Sequence, residues 1–191
     1  MDWHKQQMDK FREFRSKRFS KVGKLFLKLK ISANIMTGFS FLCGILAVVF
    51  LFQNYGLFLL FAALHLIGDG LDGVIARVSK TTKFGDYFEH ICDGLIVLFI
   101  LVRIGFYTSD YLFFIVAGLY FWYQTIYFFS RCQAPAVFTR SLTLVLLALY
   151  LPGVISITTN ILLIILLVNG VVSLYSLARQ LQYFVSLSRR D

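Results

Sequence analysis

Long apolar runs separated by short polar interruptions dominate the chain from residue 34 onward. Six of them reach the roughly 20 residues a helix needs to cross the hydrocarbon of a bilayer: about 34–53, 57–78, 84–107, 111–130, 137–156 and 160–178. Backbone groups find no water in lipid, so each run is expected to be helical. The runs are continuously apolar rather than alternating, which argues against a membrane barrel. Residues 1–30 have another pattern: Trp3, Phe11, Phe14, Phe19, Phe26 and Leu27 interrupt a dense basic stretch, as in a helix lying among lipid headgroups. The pattern predicts an all-α polytopic membrane protein. Its parts are an N-terminal amphipathic interfacial helix over 1–30 and a six-helix membrane domain over 31–191.

Composition agrees and charge adds an orientation. The 191 residues are 58% hydrophobic, with a mean hydropathy of +0.73, too apolar for a soluble domain. The length leaves no room for a second folded unit, and no cleavable signal peptide is read. Of the 19 Lys and Arg, ten fall in residues 1–30, beside three acids. The connection after the second run carries Arg77, Lys80 and Lys83; Arg131 and Arg140 flank the fourth connection; Arg179, Arg189 and Arg190 end the chain. The alternate connections, around 53–56, 108–110 and 152–159, hold no Lys or Arg. Basic loops stay in the cytoplasm, so both termini and the second and fourth connections are expected there. Membrane lipid accounts for the basic N-terminus, and no nucleic-acid partner is expected. Cys43, Cys92 and Cys132 have no metal-ligand spacing and are read as reduced packing residues.

Chemistry concentrates between Ile67 and Leu95, IGDGLDGVIARVSKTTKFGDYFEHICDGL, which holds five of the ten acids. Acids inside membrane helices are costly and mark function. Asp69 and Asp72 are three residues apart and share a face of the second helix; Glu89 and Asp93, four apart, share a face of the third. At about 100° per residue, Asp86, Glu89, His90 and Asp93 fall within roughly a 100° arc. A short connection makes the two helices antiparallel neighbours, so the two pairs can face each other at one depth. Facing carboxylates repel unless protons or cations intervene. Hard oxygen ligands suit Mg²⁺, Mn²⁺ or Ca²⁺ rather than zinc. Two divalent ions balance four negative charges and clamp a diphosphate. Gly68, Gly70 and Gly73 among these acids allow close approach of a ligand or a helix. Arg77 and Lys83 at the rim are candidates to neutralise diphosphate oxygens. Arg131 and Arg140 are candidates to bind an acceptor that carries phosphate.

Asp69-x-x-Asp72-Gly73-x-x-Ala76-Arg77, followed by Gly85-x-x-x-Glu89-x-x-x-Asp93, resembles the signature of the CDP-alcohol phosphotransferases. Ser32-Ala33-Asn34-Ile35-Met36-Thr37 is similar to that family's Pro-Asn-x-x-Thr opening of the first span, with Ala33 in place of the proline. The resemblance implies a CDP-linked donor held near Asn34, Thr37, Asp69, Gly73, Ala76, Arg77 and Gly85, with Lys83 at the same rim. It implies two divalent ions, Mg²⁺ or Mn²⁺, on Asp69, Asp72, Glu89 and Asp93. It implies an alcohol acceptor whose proton Asp93 removes, and a homodimer; the Lys/Arg asymmetry places the active-site opening on the cytoplasmic side. Two features depart from the pattern: Glu89 stands where the family has aspartate, and the spacer between Arg77 and Gly85 is one residue short.

The expected activity is metal-dependent transfer of a phosphatidyl-type group from a CDP-activated lipid to a small alcohol, with release of CMP. Phe88-Glu89-His90-Ile91-Cys92-Asp93 also resembles the Phe-Asp-His-Gly-Cys-Asp run of the choline and ethanolamine branch. That branch uses a soluble CDP-amino-alcohol and a diglyceride, which makes His90 a rival base. An inactive homologue is a further alternative, as is a metal-ion transporter. Arg77, the glycines and the lack of acids in the outer halves of the helices argue against transport.

Overall fold

The computed structural model describes residues 21–79, 83–150 and 155–188. Seven helices are described: α1 (residues 21–28), α2 (Ala33–Phe50), α3 (Tyr55–Val78), α4 (Lys83–Thr108), α5 (Tyr111–Phe129), α6 (Arg140–Ala148) and α7 (Ile155–Ser188). There is no strand among the described residues. Five helices, α2 to α5 and α7, are long and apolar enough to cross a membrane. The protein is therefore an all-α, multi-pass membrane protein.

The helix starts follow from local chemistry. The Ser32 side chain accepts from the Ile35 N–H (3.3 Å) and caps α2. Ala33 then occupies the first helical position, where proline is tolerated because its missing N–H has no intrahelical partner. Alanine at this site keeps the helix start. Asn54 caps α3 at Leu57, and Asp110 caps α5 at Leu112.

The core lies along α4, whose Ile96, Val97, Ile100, Leu101 and Ile104 are fully buried. Against them pack Ala47 and Leu51 of α2, Phe58 and Ala62 of α3, Ala117 and Tyr120 of α5, Leu144 and Leu147 of α6, and Ile165 of α7. Large apolar side chains also point outward, among them Phe39, Leu42, Ile67, Phe106, Trp122 and Leu174. In water such a surface would be a liability; in lipid it is the solvated face. Gly68 explains the close contact of α2 and α3: a Cβ there would sit 3.0 Å from the Ser40 Cβ. The same contact is latched by His65, whose Nδ1 donates to the Ser40 carbonyl (2.9 Å) while Ser40 Oγ donates to the His65 carbonyl (2.8 Å).

One expectation changes. The run expected to be one span over 137–156 is not a single long helix. Its helical part, α6, has nine residues, about 14 Å at 1.5 Å per residue. The chain still connects the two ends of the bundle. Gln133 accepts from the Tyr183 hydroxyl at one end, and Tyr150 packs edge-on against Phe52 at the other. The first part of the passage, residues 134–139, is non-helical. Side chains meet three of its backbone groups: Ser130 Oγ accepts from the Ala134 N–H, Ser176 Oγ from the Val137 N–H, and the Tyr123 hydroxyl donates to the Val137 carbonyl. Irregular backbone at this depth is stable only where protein supplies such partners. Pro135 brings no N–H and disfavours a helix through Ala134.

The amphipathic helix expected over 1–30 lies mostly outside the described residues. Residues 21–28 are helical and rest on the end of α3, where a Cβ at Gly23 would meet Val78 at 2.7 Å. The division into 1–30 and 31–191 remains an expectation.

Candidate active site

Antiparallel packing of α3 and α4 brings the acids together. Asp69 projects from the second half of α3, and Glu89 and Asp93 from the first half of α4. One carboxylate oxygen from each of these three lies within 4.8 Å of the others. Asp72, one turn along α3, is 2% exposed. Its Oδ2 accepts from Thr37 Oγ1 of α2 at 2.6 Å, while its Oδ1 is buried without a hydrogen-bond partner. A buried charged oxygen without a partner is expensive. That orphan, next to three clustered carboxylates, fits a hard divalent cation.

A cavity opens beside this cluster, between α2, α3 and the start of α4. Asn34, Thr37, Asp72, Ala76, Gly85 and Glu89 line it, with Ser32, Ser79, Asp86 and Leu27 of α1. Six of the positions singled out from the sequence thus share one space. Asp69 and Asp93 face the neighbouring side, toward Arg140. Gly73 presents no obstacle except its own helix: a Cβ there would meet only Arg77 Nη2, at 3.3 Å. Arg77 is exposed, and its Nε donates to the Gly73 carbonyl at 2.6 Å. Lys83 is the first residue of α4; its side chain lies outside the described residues.

A second polar cavity lies on the other side of α4, lined by Asp86, Tyr87, His90, Arg131, Cys132 and Gln133. His90 is held there by aromatic rings, stacked on Phe138 at 5.1 Å and edge-on to Tyr127 at 5.7 Å. Arg131 is exposed and has a φ of 56°, a left-handed turn that redirects the chain after α5.

Arg140 is the largest surprise. Sequence order puts it at the rim, but its guanidinium points into the acidic cluster, and the residue is 8% exposed. Nη1 donates to Asp69 Oδ1 (2.7 Å) and to Asp93; Nη2 donates to Asp69 Oδ2 (2.5 Å). These partners are 71 and 47 residues away in sequence, so no local pattern signals the pairing. The position depends on a buried polar knot that sequence reading missed. Asn169 of α7 accepts from the Thr139 hydroxyl at 2.7 Å and donates to Thr143 Oγ1 at 3.1 Å. Its trace in the sequence is Asn169, a polar residue in the middle of an apolar run.

A multi-pass helical bundle with half-buried acids clustered beside a polar cavity has the frame of a membrane enzyme. The family model for CDP-alcohol phosphatidyltransferase matches residues 30–185, and the chain belongs to that family. No curated protein matches it in sequence comparison. Membership makes it a transferase of the kind that serves phospholipid biosynthesis, with a CDP-alcohol donor and an alcohol acceptor. The family uses divalent metal, and this chain has an acidic cluster suited to it.

Proposed function

We propose that the protein transfers a phosphatidyl-type group from a CDP-activated lipid to a small alcohol, releasing CMP. The observation that carries this reading is the sharing of one cavity by Asn34, Thr37, Asp72, Ala76, Gly85 and Glu89, beside the Asp69–Glu89–Asp93 cluster. The cytidine diphosphate portion of the donor lies in that cavity, with Arg77 and Lys83 supplying positive charge to its phosphates. Asp69, Asp72, Glu89 and Asp93 would hold two Mg²⁺ or Mn²⁺ ions. When bound, the metal neutralises the diphosphate and the charge that develops on the transferred phosphoryl group. Thr37 orients Asp72 through its hydroxyl. Asp93 takes the proton of the attacking hydroxyl; the alcohol oxygen bonds to the lipid-side phosphorus, and the pyrophosphate bond to CMP breaks. The acceptor approaches through the second cavity, where Arg131 suits an alcohol bearing phosphate.

The test is incubation of purified protein with CDP-diacylglycerol, Mg²⁺ or Mn²⁺ and a panel of alcohols, reading CMP release. The same assay with CDP-choline or CDP-ethanolamine and diglyceride addresses the reverse arrangement. Release only in the second assay reverses the donor assignment, and release in neither favours an inactive homologue. The reading includes a homodimer, which family membership supports and which mass measurement in detergent checks.

Glu89 is a working metal ligand on this reading. Its carboxylate reaches one methylene farther than the family's aspartate, and it belongs to the three-residue cluster. Glu89→Gln is expected to raise the metal concentration for half-maximal CMP release by about tenfold or more. Glu89→Asp is expected to impair activity too, because the shorter arm withdraws from the cluster. Superimposable metal titrations for wild type and Glu89→Gln would remove Glu89 from the ligand set.

The active site opens to the cytoplasm, with both termini on that side. Support comes from the basic residues at one end of the bundle: Arg77, Arg131 and Arg179 lie near the α3–α4 turn and the contact of Gln133 with Tyr183. A cysteine replacing Thr81 should react with a membrane-impermeant thiol reagent only after cells are opened, assayed in a background lacking the native cysteines. Labelling in intact cells inverts the topology.

A further inference from the structure

We propose that Arg140 is a built-in counter-ion of the carboxylate site, and that divalent metal binds only as its guanidinium leaves. The inference rests on the metal-dependent reading above. Three observations carry it. Arg140 takes both oxygens of Asp69 and one of Asp93, two of the three residues whose oxygens cluster closely enough to share an ion. A guanidinium within hydrogen-bond distance of those oxygens repels an arriving cation strongly where water is scarce. The fork and the ion therefore compete for one place.

The anchor and the moving part are also distinct. Arg140 is the first residue of α6, and Thr139 and Thr143 on either side of it are tied to the fully buried Asn169. The knot holds the backbone, so withdrawal of the guanidinium is a side-chain rotation that leaves the bundle intact. Arg140 Nε is buried without a hydrogen-bond partner. Only the two terminal nitrogens, both on the carboxylates, hold the head of the side chain among the acids. The arrangement also answers a folding problem. Four acids at membrane depth are costly without a cation, and one resident guanidinium lets the helices assemble before metal arrives. The device sets a metal threshold: the site opens only when the ion outcompetes an internal charge.

The experiment uses full-length protein in detergent, stripped with chelator and titrated with Mn²⁺ alone, free Mn²⁺ being read by its electron paramagnetic resonance signal. Apparent affinity is the intrinsic affinity multiplied by the fraction of molecules whose site is open. Arg140→Gln is expected to bind Mn²⁺ about tenfold more tightly than wild type, because the closed state is removed. Arg140→Lys keeps the charge but loses the fork, and it is expected to bind severalfold more tightly than wild type. Thermal melting supplies a second readout. Metal-free Arg140→Gln should melt below metal-free wild type, and saturating Mn²⁺ should remove the difference. Wild-type affinity in Arg140→Lys would reduce Arg140 to a distant charge and overturn the proposal. So would a melting loss in Arg140→Gln that Mn²⁺ does not recover, which marks a purely structural residue. If neither wild type nor variants bind Mn²⁺, the metal-dependent reading itself fails and takes this inference with it.

Discussion

Asp72→Asn is expected to lower CMP release by at least about a thousandfold while the protein remains folded. The asparagine keeps the shape and still offers an oxygen to the Thr37 hydroxyl, so the α2–α3 contact survives. What it removes is a negative charge whose second oxygen is buried and unpartnered, the feature that best fits a bound cation. Charge stabilisation by metal is worth several kcal/mol in phosphoryl transfer, and each 1.36 kcal/mol is about tenfold in rate. Stability should hold or rise, since replacing a buried uncompensated carboxylate with an amide relieves desolvation. CMP release and the melting temperature of the purified variant are the paired measurements. A folded variant retaining more than about a tenth of wild-type activity would remove Asp72 from the metal site.

Asp93→Asn is the second large effect, and it is informative beside His90→Gln. Asp93 belongs to the acidic cluster and touches Arg140, so its loss removes both a ligand and the proposed proton acceptor. General-base contributions of about 10²–10⁴ in rate are typical. Asp93→Asn is expected to lose at least about a thousandfold in turnover. His90 is stacked on Phe138 and set against Tyr127, an environment that fixes a ring more than it frees a base. His90→Gln is expected to lose less than about tenfold, mostly through KM, because His90 lines the acceptor-side cavity. A turnover loss in His90→Gln equal to that in Asp93→Asn would exchange their roles and favour the choline and ethanolamine arrangement.

The acids were legible because their order is local. Spacings of three and four residues on neighbouring antiparallel helices put Asp69 and Asp72 opposite Glu89 and Asp93, and the structure brings Asp69, Glu89 and Asp93 within ligand distance. Asn34 and Thr37 were legible only as a motif. The hydrogen bond from Thr37 to Asp72 joins positions 35 residues apart and depends on how closely α2 approaches α3, which Gly68 permits. The apolar run at 137–156 was read as one helix because hydropathy registers the solvent and not the backbone. Pro135, just before the run, was the available warning. The partners that make a non-helical passage stable, Tyr123, Ser130 and Ser176, come mostly from other helices.

By itself, then, the sequence determined the membrane class, the spans of α2 to α5, the basic end of the bundle and the carboxylate motif. Each of these is written in composition or in periodicity shorter than two helical turns. Tertiary structure alone decided that Asn169 ties down the start of α6 and that Arg140 turns inward to Asp69 and Asp93. The physical reason is reach. A long flexible guanidinium can serve the rim or the cluster with the same sequence around it. Which it serves depends on where α7 holds the backbone, a contact that no spacing along the chain encodes.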